Sequence, residues 1–170
     1  MVRRENRPTQ QGKKRVALPL YESGEELRVR MWVQLIRTFF LMQKKVSGLL
    51  ANRGLTIAQF DVLATLHWSQ GITQQELAEK LLVTKGNVCG LIDRLEDIGW
   101  VERRADPSDA RARRLYLTTT GRQTIEAVFP EHNAEVISLT KALSDGDSAM
   151  LRGLLWQLER GIDENDAEIV

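Results

Sequence analysis

Among its 170 residues the chain has one cysteine, Cys89, and two histidines, His67 and His132. A lone thiol cannot close an internal disulfide, and so few Cys and His residues leave no zinc site to build. No stretch approaches the roughly 18 uncharged apolar residues that a bilayer crossing needs, and the opening residues lack the apolar core of a secretory signal. The expected location is the cytoplasm, with no membrane partner. Also missing are a serine, histidine and acid set suited to nucleophilic catalysis and a glycine-rich phosphate loop after a strand. No catalytic residue, metal or cofactor is expected, and no enzyme activity. What is present is a hydrophobic fraction of 42%, enough for a core, in a length that fits one domain with extensions.

An excess of one charge is missing too. Lys and Arg number 24 against 23 Asp and Glu, a formal +1, which by itself says nothing of a polyanionic partner. The average conceals a polarity. Residues 1–15 hold six cations against Glu5, a local +5, and residues 159–170 hold five acids against Arg160, a local −4. From Val101 to Arg122, six arginines (Arg103, Arg104, Arg111, Arg113, Arg114 and Arg122) face Glu102, Asp106 and Asp109, a local +3. Guanidinium planes suit bidentate contacts to phosphate and base edges better than ammonium groups do. On charge alone, a nucleic-acid surface competes with a solvated basic face.

Residues 1–21, basic and polar with Pro8 and Gly12, read as a flexible arm before a single domain at 22–170. From Glu25 to Asn52, apolar residues including Met31, Trp32, Leu35, Ile36, Phe39, Met42, Val46 and Leu49 keep the three-and-four spacing of a helix. Phe40 and Leu41 widen its apolar face, and a face this broad at the edge of a small domain implies a partner, hence dimerisation. Thr56 caps the next helix, with Ile57, Phe60, Leu63, Ala64 and Trp68 inward. Thr73 caps a short one in a capping box with Glu76, with Leu77 and Leu81 turned in. Thr84 caps a third, on which Val88, Leu91, Ile92, Leu95 and Ile98 form one stripe before Gly99 stops it. Trp100–Arg104 and Arg113–Leu117 then read as the strands of a basic-tipped hairpin. Thr118 to Gly121 open a further helix that Pro130 is expected to kink or interrupt. Ser144 or Asp145 caps the last, whose stripe of Met150, Leu151, Leu154, Leu155, Leu158 and Ile162 also wants a partner.

Helix, turn, helix and hairpin in this order make a winged helix-turn-helix, in which the second short helix enters the major groove and the hairpin reaches the flanking backbone. The expected fold is mainly α with a small β-hairpin wing. The DNA-binding lobe lies at about 55–118, between dimerisation helices at about 25–53 and 119–162. At 100° per residue, Gly86, Gly90, Asp93 and Asp97 face away from the apolar stripe, with Asn87 and Arg94 on one flank and Lys85 and Cys89 on the other. Small residues near the helix start let its free N–H groups approach phosphate closely, while Thr84, Lys85 and Asn87 reach base edges or backbone. The alternative is an ordinary amphipathic helix whose glycines fit a neighbour.

The residues that carry a further likeness run from Val101-Glu102-Arg103-Arg104 through Asp106-Pro107-Ser108-Asp109-Ala110-Arg111 to Leu115-Tyr116-Leu117-Thr118 and Gly121. Upstream stand Gly54-Leu55-Thr56, Gln59-Phe60, Leu77-Ala78, Thr84-Lys85-Gly86-Asn87-Val88 and Arg94-Leu95-Glu96. Over about residues 26–160 this pattern resembles the MarR family of winged-helix transcription regulators. The resemblance implies a two-fold dimer joined through its first and last helices, bound to a pseudo-palindromic operator on double-stranded DNA and usually repressing transcription. It also implies release by a phenolic or other small aromatic ligand in many members, and a response to oxidation in others. By position, Arg111 resembles the wing-tip arginine that enters the minor groove and Asp109 the acid that orients it, with Arg113 and Arg114 as phosphate contacts.

Three points stay open in the sequence. Cys89 stands where many relatives have threonine, and is either a packing residue or an oxidisable thiol beside the DNA. Asp61 and Arg94 could reproduce the acid and arginine pair of urate-binding relatives, or form a structural ion pair. His67 and Trp68, with Trp32, Phe39 and Phe40 on the opposite wall, are ligand-pocket candidates that could equally be core or dimer interface. A ligand-binding or protein-binding module that kept this frame without operator recognition is the alternative function.

Overall fold

Five hydroxyl residues, each just ahead of an apolar periodic run, mark out the architecture. The computed structural model describes residues 24–106 and 112–167, with side chains described as far as Ile162. The basic arm, the wing-tip residues Pro107, Asp109 and Arg111, and Glu168 of the acidic tail lie outside the described residues. The element order is α1 (Gly24–Asn52), α2 (Ile57–Trp68), β1 (Ile72–Thr73), α3 (Gln74–Lys80), α4 (Lys85–Asp97), β2 (Val101–Ala105), β3 (Arg113–Leu117), α5 (Thr119–Thr140) and α6 (Asp145–Ala167). It is the expected winged helix-turn-helix, mainly α with a small antiparallel sheet.

Two units are distinguished, one up to Phe39 and one from Phe40 onward. In the first, residues 24–39 are helical, Arg30 pairs with Glu26 one turn back at 2.8 Å, and Leu27, Trp32, Val33 and Phe39 are exposed.

In the second unit, the side-chain oxygens of Thr56, Thr73, Thr84 and Thr118 each accept from the main-chain N–H three residues on, at the starts of α2, α3, α4 and α5. Ser144 does the same for Asp147 at the start of α6, and Asp147 reaches back to the Ser144 N–H. Such reciprocal pairs satisfy donors that a helix start otherwise leaves unbonded. The core is built where the helices meet the sheet. Leu50, Leu63, Leu66, Leu77, Ile92, Leu95, Leu115 and Ile125 are fully buried there. In the strand register, Val101 pairs with Leu117 and Arg103 with Leu115. Cross-strand partners share a face, so the residues at 101, 103, 115 and 117 all turn to the core side. At Gly121 an added Cβ would overlap the Trp100 carbonyl, which already accepts from Thr118 N at 3.1 Å. Only glycine lets α5 start that close to β2.

The structure corrects several expectations. The sheet has three strands in the order β1-β3-β2, with Ile72 paired to Leu115 and Thr73 to Arg114. Two residues are too few to show a period of two, and Thr73 is also the α3 cap, so the sequence carries no signal of β1. Trp68 is 78% exposed rather than inward, because Val62 and Leu66 carry the buried arc of α2 around to the side opposite Trp68 at 100° per residue. Ile98, at the end of the α4 stripe, is exposed as well. Pro130 lies inside α5 without interrupting it. In keeping with a stripe that wants a partner, Met150, Leu151, Leu154, Leu155, Leu158 and Ile162 of α6 are all exposed, and Trp156 with them. No helix among the described residues is long and apolar enough to cross a membrane.

Candidate nucleic-acid interface

α3 and α4 are joined by a four-residue turn whose second residue, Leu82, holds φ +53° and is 90% exposed. The Val83 N–H donates to the Ala78 carbonyl at 3.0 Å, which closes the turn. α4 buries Val88, Ile92 and Leu95 against the core, so Thr84, Lys85, Gly86 and Asn87 at its start are exposed. The two glycines do not serve internal packing. A Cβ at Gly86 would meet nothing within 4 Å, and one at Gly90 only the Arg94 guanidinium at 3.7 Å. That removes the reading in which they fit a neighbour within the described residues. The α4 backbone is left open to close approach from outside, with the positive end of the helix dipole exposed.

The wing is pinned by arginines rather than merely decorated with them. Arg114 donates through Nε to the Asp106 carboxylate and through Nη1 to the Gly71 carbonyl at 2.6 Å. Arg104 pairs with Glu102 and lies over the Tyr116 ring, 4.3 Å from its centroid. Arg122 stands 3.8 Å from Glu126. Arg103, on the core side of β2, pairs with Glu96 and donates through Nη2 to Asp93 at 2.7 Å. Its main-chain N–H also donates to Glu96 Oε1 at 2.8 Å. Partial burial works against the Arg103 charge, but hydrogen bonding to Asp93 and the Glu96 charge outweigh it and hold its pKa above the ordinary value. Gln74 completes the set. Only with its oxygen on the guanidinium, 2.9 Å from Nε and 2.6 Å from Nη2, does Gln74 avoid facing N–H donors with its own NH2 group. Its other amide atom then lies 3.2 Å from Cys89 Sγ. Arg113 is exposed and, with Lys85, Thr73, Gln74, Gln75 and Ala112, lines a groove of about 360 Å³ between the wing and the starts of α3 and α4.

An exposed helix start, a groove carrying two cations and a hairpin fixed beside them form a surface suited to a polyanion. The chain matches the MarR family model over residues 55–112. It is 31% identical over 137 residues to an HTH-type transcriptional regulator of Bacillus cereus (strain ATCC 10987), covering 80% of this chain and 91% of that one. The chain belongs to the MarR family. A second relative, the HTH-type transcriptional repressor YetL of Bacillus subtilis, is 30% identical over 132 residues, covering 74% of this chain and 79% of that one. Among solved structures, a mutant MarR from E. coli complexed with operator DNA superposes with a TM-score of 0.73 at 28% identity, covering 81% of this chain and 99% of that one. The function is accordingly DNA-binding regulation of transcription.

Against this MarR-family frame the remaining candidates separate. Asp61 and Arg94 line one cavity of about 310 Å³, with Leu81, Val83, Asn87 and Leu91 among its walls. Burial pushes the Asp61 carboxyl above the ordinary range, opposed by the charge of His132. His67 and Trp68 are not in that cavity. They pack with Phe129 of α5, at ring-centroid distances of 5.2 and 6.3 Å. His67 Nδ1 is buried without a hydrogen-bond partner, 3.9 Å from Glu126. Trp32 and Phe39 are exposed on residues 24–39. Among the described residues no group of three His, Cys, Asp or Glu could hold a metal. Sequence reasoning missed Gln74, Asp93 and Glu96 as a set. The available signal was Asp93 and Glu96 one turn apart on α4, facing a strand with an arginine at an inward position.

Proposed function

We propose that this MarR-family protein is a homodimeric repressor that reads a pseudo-palindromic operator. The start of α4 enters the major groove, and the wing, with Arg111 and Asp109 at its tip, reaches the minor groove. Thr84, Lys85, Asn87 and Arg94 face base edges or backbone, Gly86 and Gly90 admit the duplex, and Arg113 contacts phosphate. The observation that carries this reading is the open backbone at Gly86 beside the groove shared by Lys85 and Arg113. The operator complex of E. coli MarR and the name of YetL support it by analogy. Dimerisation is supported by the uncovered apolar stripe of α6, including Leu151, Leu154, Leu155 and Trp156, which a second copy would bury. The cavity of Asp61 and Arg94 abuts the recognition helix, so a small aromatic acid entering it is the proposed releasing ligand.

The test is a titration of a fluorescent duplex from the promoter region beside the protein's own coding sequence, with a scrambled duplex as control, and sedimentation of the free protein. Tighter binding of the promoter duplex by a dimer supports the reading. Equal affinity for both duplexes, or a monomer, overturns it. Addition of salicylate-type acids to the bound complex tests the ligand, which is rejected if the complex is unaffected.

A further inference from the structure

Arg103 belongs by sequence to the basic patch, yet its surroundings are those of a strut. Its side chain is 22% exposed and faces two carboxylates of α4, so the local sum of Arg103, Asp93 and Glu96 is negative. Such a group adds nothing to the attraction of phosphate. What it does is mechanical. β2 is an edge strand of the sheet, and Glu96 takes both the main-chain N–H and the guanidinium of Arg103. The same guanidinium reaches Asp93 one turn earlier on α4 and Gln74 at the start of α3. One side chain thus ties the wing strand to both helices of the helix-turn-helix. Three acceptors on two helices fix a planar fork in rotation as well as in distance, which a point-charge ammonium cannot do.

We infer that Arg103 is a positioning residue for operator recognition: it locks the wing to the recognition helix, so that both meet the duplex in one register. The inference rests on the regulatory reading above. If helix and wing contacts must form together, loosening their relative placement penalises the sequence that both were shaped to read. It does not penalise phosphate attraction, which tolerates many placements.

The test uses the full chain and a duplex selected by the wild type from a random library, beside a scrambled duplex, each titrated over a range of salt. For Arg103→Gln the affinity for the selected duplex should fall about tenfold, the scale of coupling between residues in contact. Affinity for the scrambled duplex, and the slope of log K against log salt, should stay at wild-type values. Arg103→Lys keeps the charge and should behave as Arg103→Gln does. Glu96→Gln, a milder change from the other side, should move selectivity in the same direction and keeps the test open if the first variant folds poorly. An equal loss on both duplexes with a shallower slope makes Arg103 a phosphate contact and overturns the inference. So does wild-type selectivity in Arg103→Lys. A wild type that selects no sequence overturns the regulatory reading itself, and is thereby told apart from a selective wild type whose variants stay selective.

Discussion

Arg114 reaches from β3 to the carboxylate of Asp106, closing the base of the wing where β2 ends. Asp106 is 7% exposed and the only buried charged residue among those described. Its partner is more open, at 36% for the side chain. Breaking a buried pair from one side costs roughly 3–5 kcal/mol because an uncompensated charge remains, and solvent at Arg114 reduces that figure. Asp106→Ala should therefore lower unfolding stability by about 2 kcal/mol, read as a fall in the urea midpoint. An unchanged midpoint would show that the pair contributes nothing to folding.

The pair also marks where sequence reading reaches and where it stops. The caps at Thr73, Thr84 and Thr118 were legible because each rests on chemistry within four residues, and the α4 stripe because periodicity is local. Arg113 and Arg114, by contrast, looked alike as phosphate contacts. Alternation places one on each face of β3, and only the fold brings Asp106 and the Gly71 carbonyl, 43 positions away, to Arg114. Arg103 escaped for the same reason, since its partners lie on two other elements. The wing itself was visible as alternation in residues 113–117, whereas β1 was too short to alternate.

Leu82 carries a conformational cost that the fold does not require. Its φ of +53° lies in the left-handed region, which costs a non-glycine residue about 1–2 kcal/mol. Its exposure means that no packing is lost on replacement. Glycine relieves the strain and gives back part of the gain through the freer unfolded chain. The relieved strain less the glycine cost leaves Leu82→Gly more stable by about 0.5–1 kcal/mol, seen as a higher urea midpoint at constant slope. A lower midpoint would mean that the leucine side chain makes a stabilising contact.

Asp61 sets a pH dependence whose sign follows from its burial. Its folded pKa is raised above the ordinary 3.8, so the folded state holds the proton more tightly than the unfolded chain does. The ionised carboxylate therefore opposes folding above the folded pKa, and this penalty fades as pH falls through that pKa towards 3.8. Asp61→Asn should melt higher than wild type at neutral pH, with the difference narrowing as the medium is acidified towards the ordinary carboxylate range. Thermal melts at both ends of that range check it, and a difference that widens in acid would contradict the assigned cause.

The proposed interface makes a quantitative distinction among cations that sequence alone treats as equal. Each phosphate neutralised on B-form DNA contributes about 0.9 to the slope of log K against log salt. Lys85 and Arg113 share the groove beside the α4 start, and in a two-fold dimer each occurs twice. Lys85→Ala and Arg113→Ala should therefore each reduce the slope by about 1.8, twice the single-phosphate value, with a similar loss on selected and scrambled duplexes. Arg114 is held by Asp106 and Gly71, so Arg114→Ala should lower stability while leaving the slope nearly unchanged at temperatures where the variant is folded. If Arg114→Ala flattens the slope as much as Arg113→Ala does, the guanidinium leaves Asp106 for phosphate when DNA binds, and the wing base is remade in the complex.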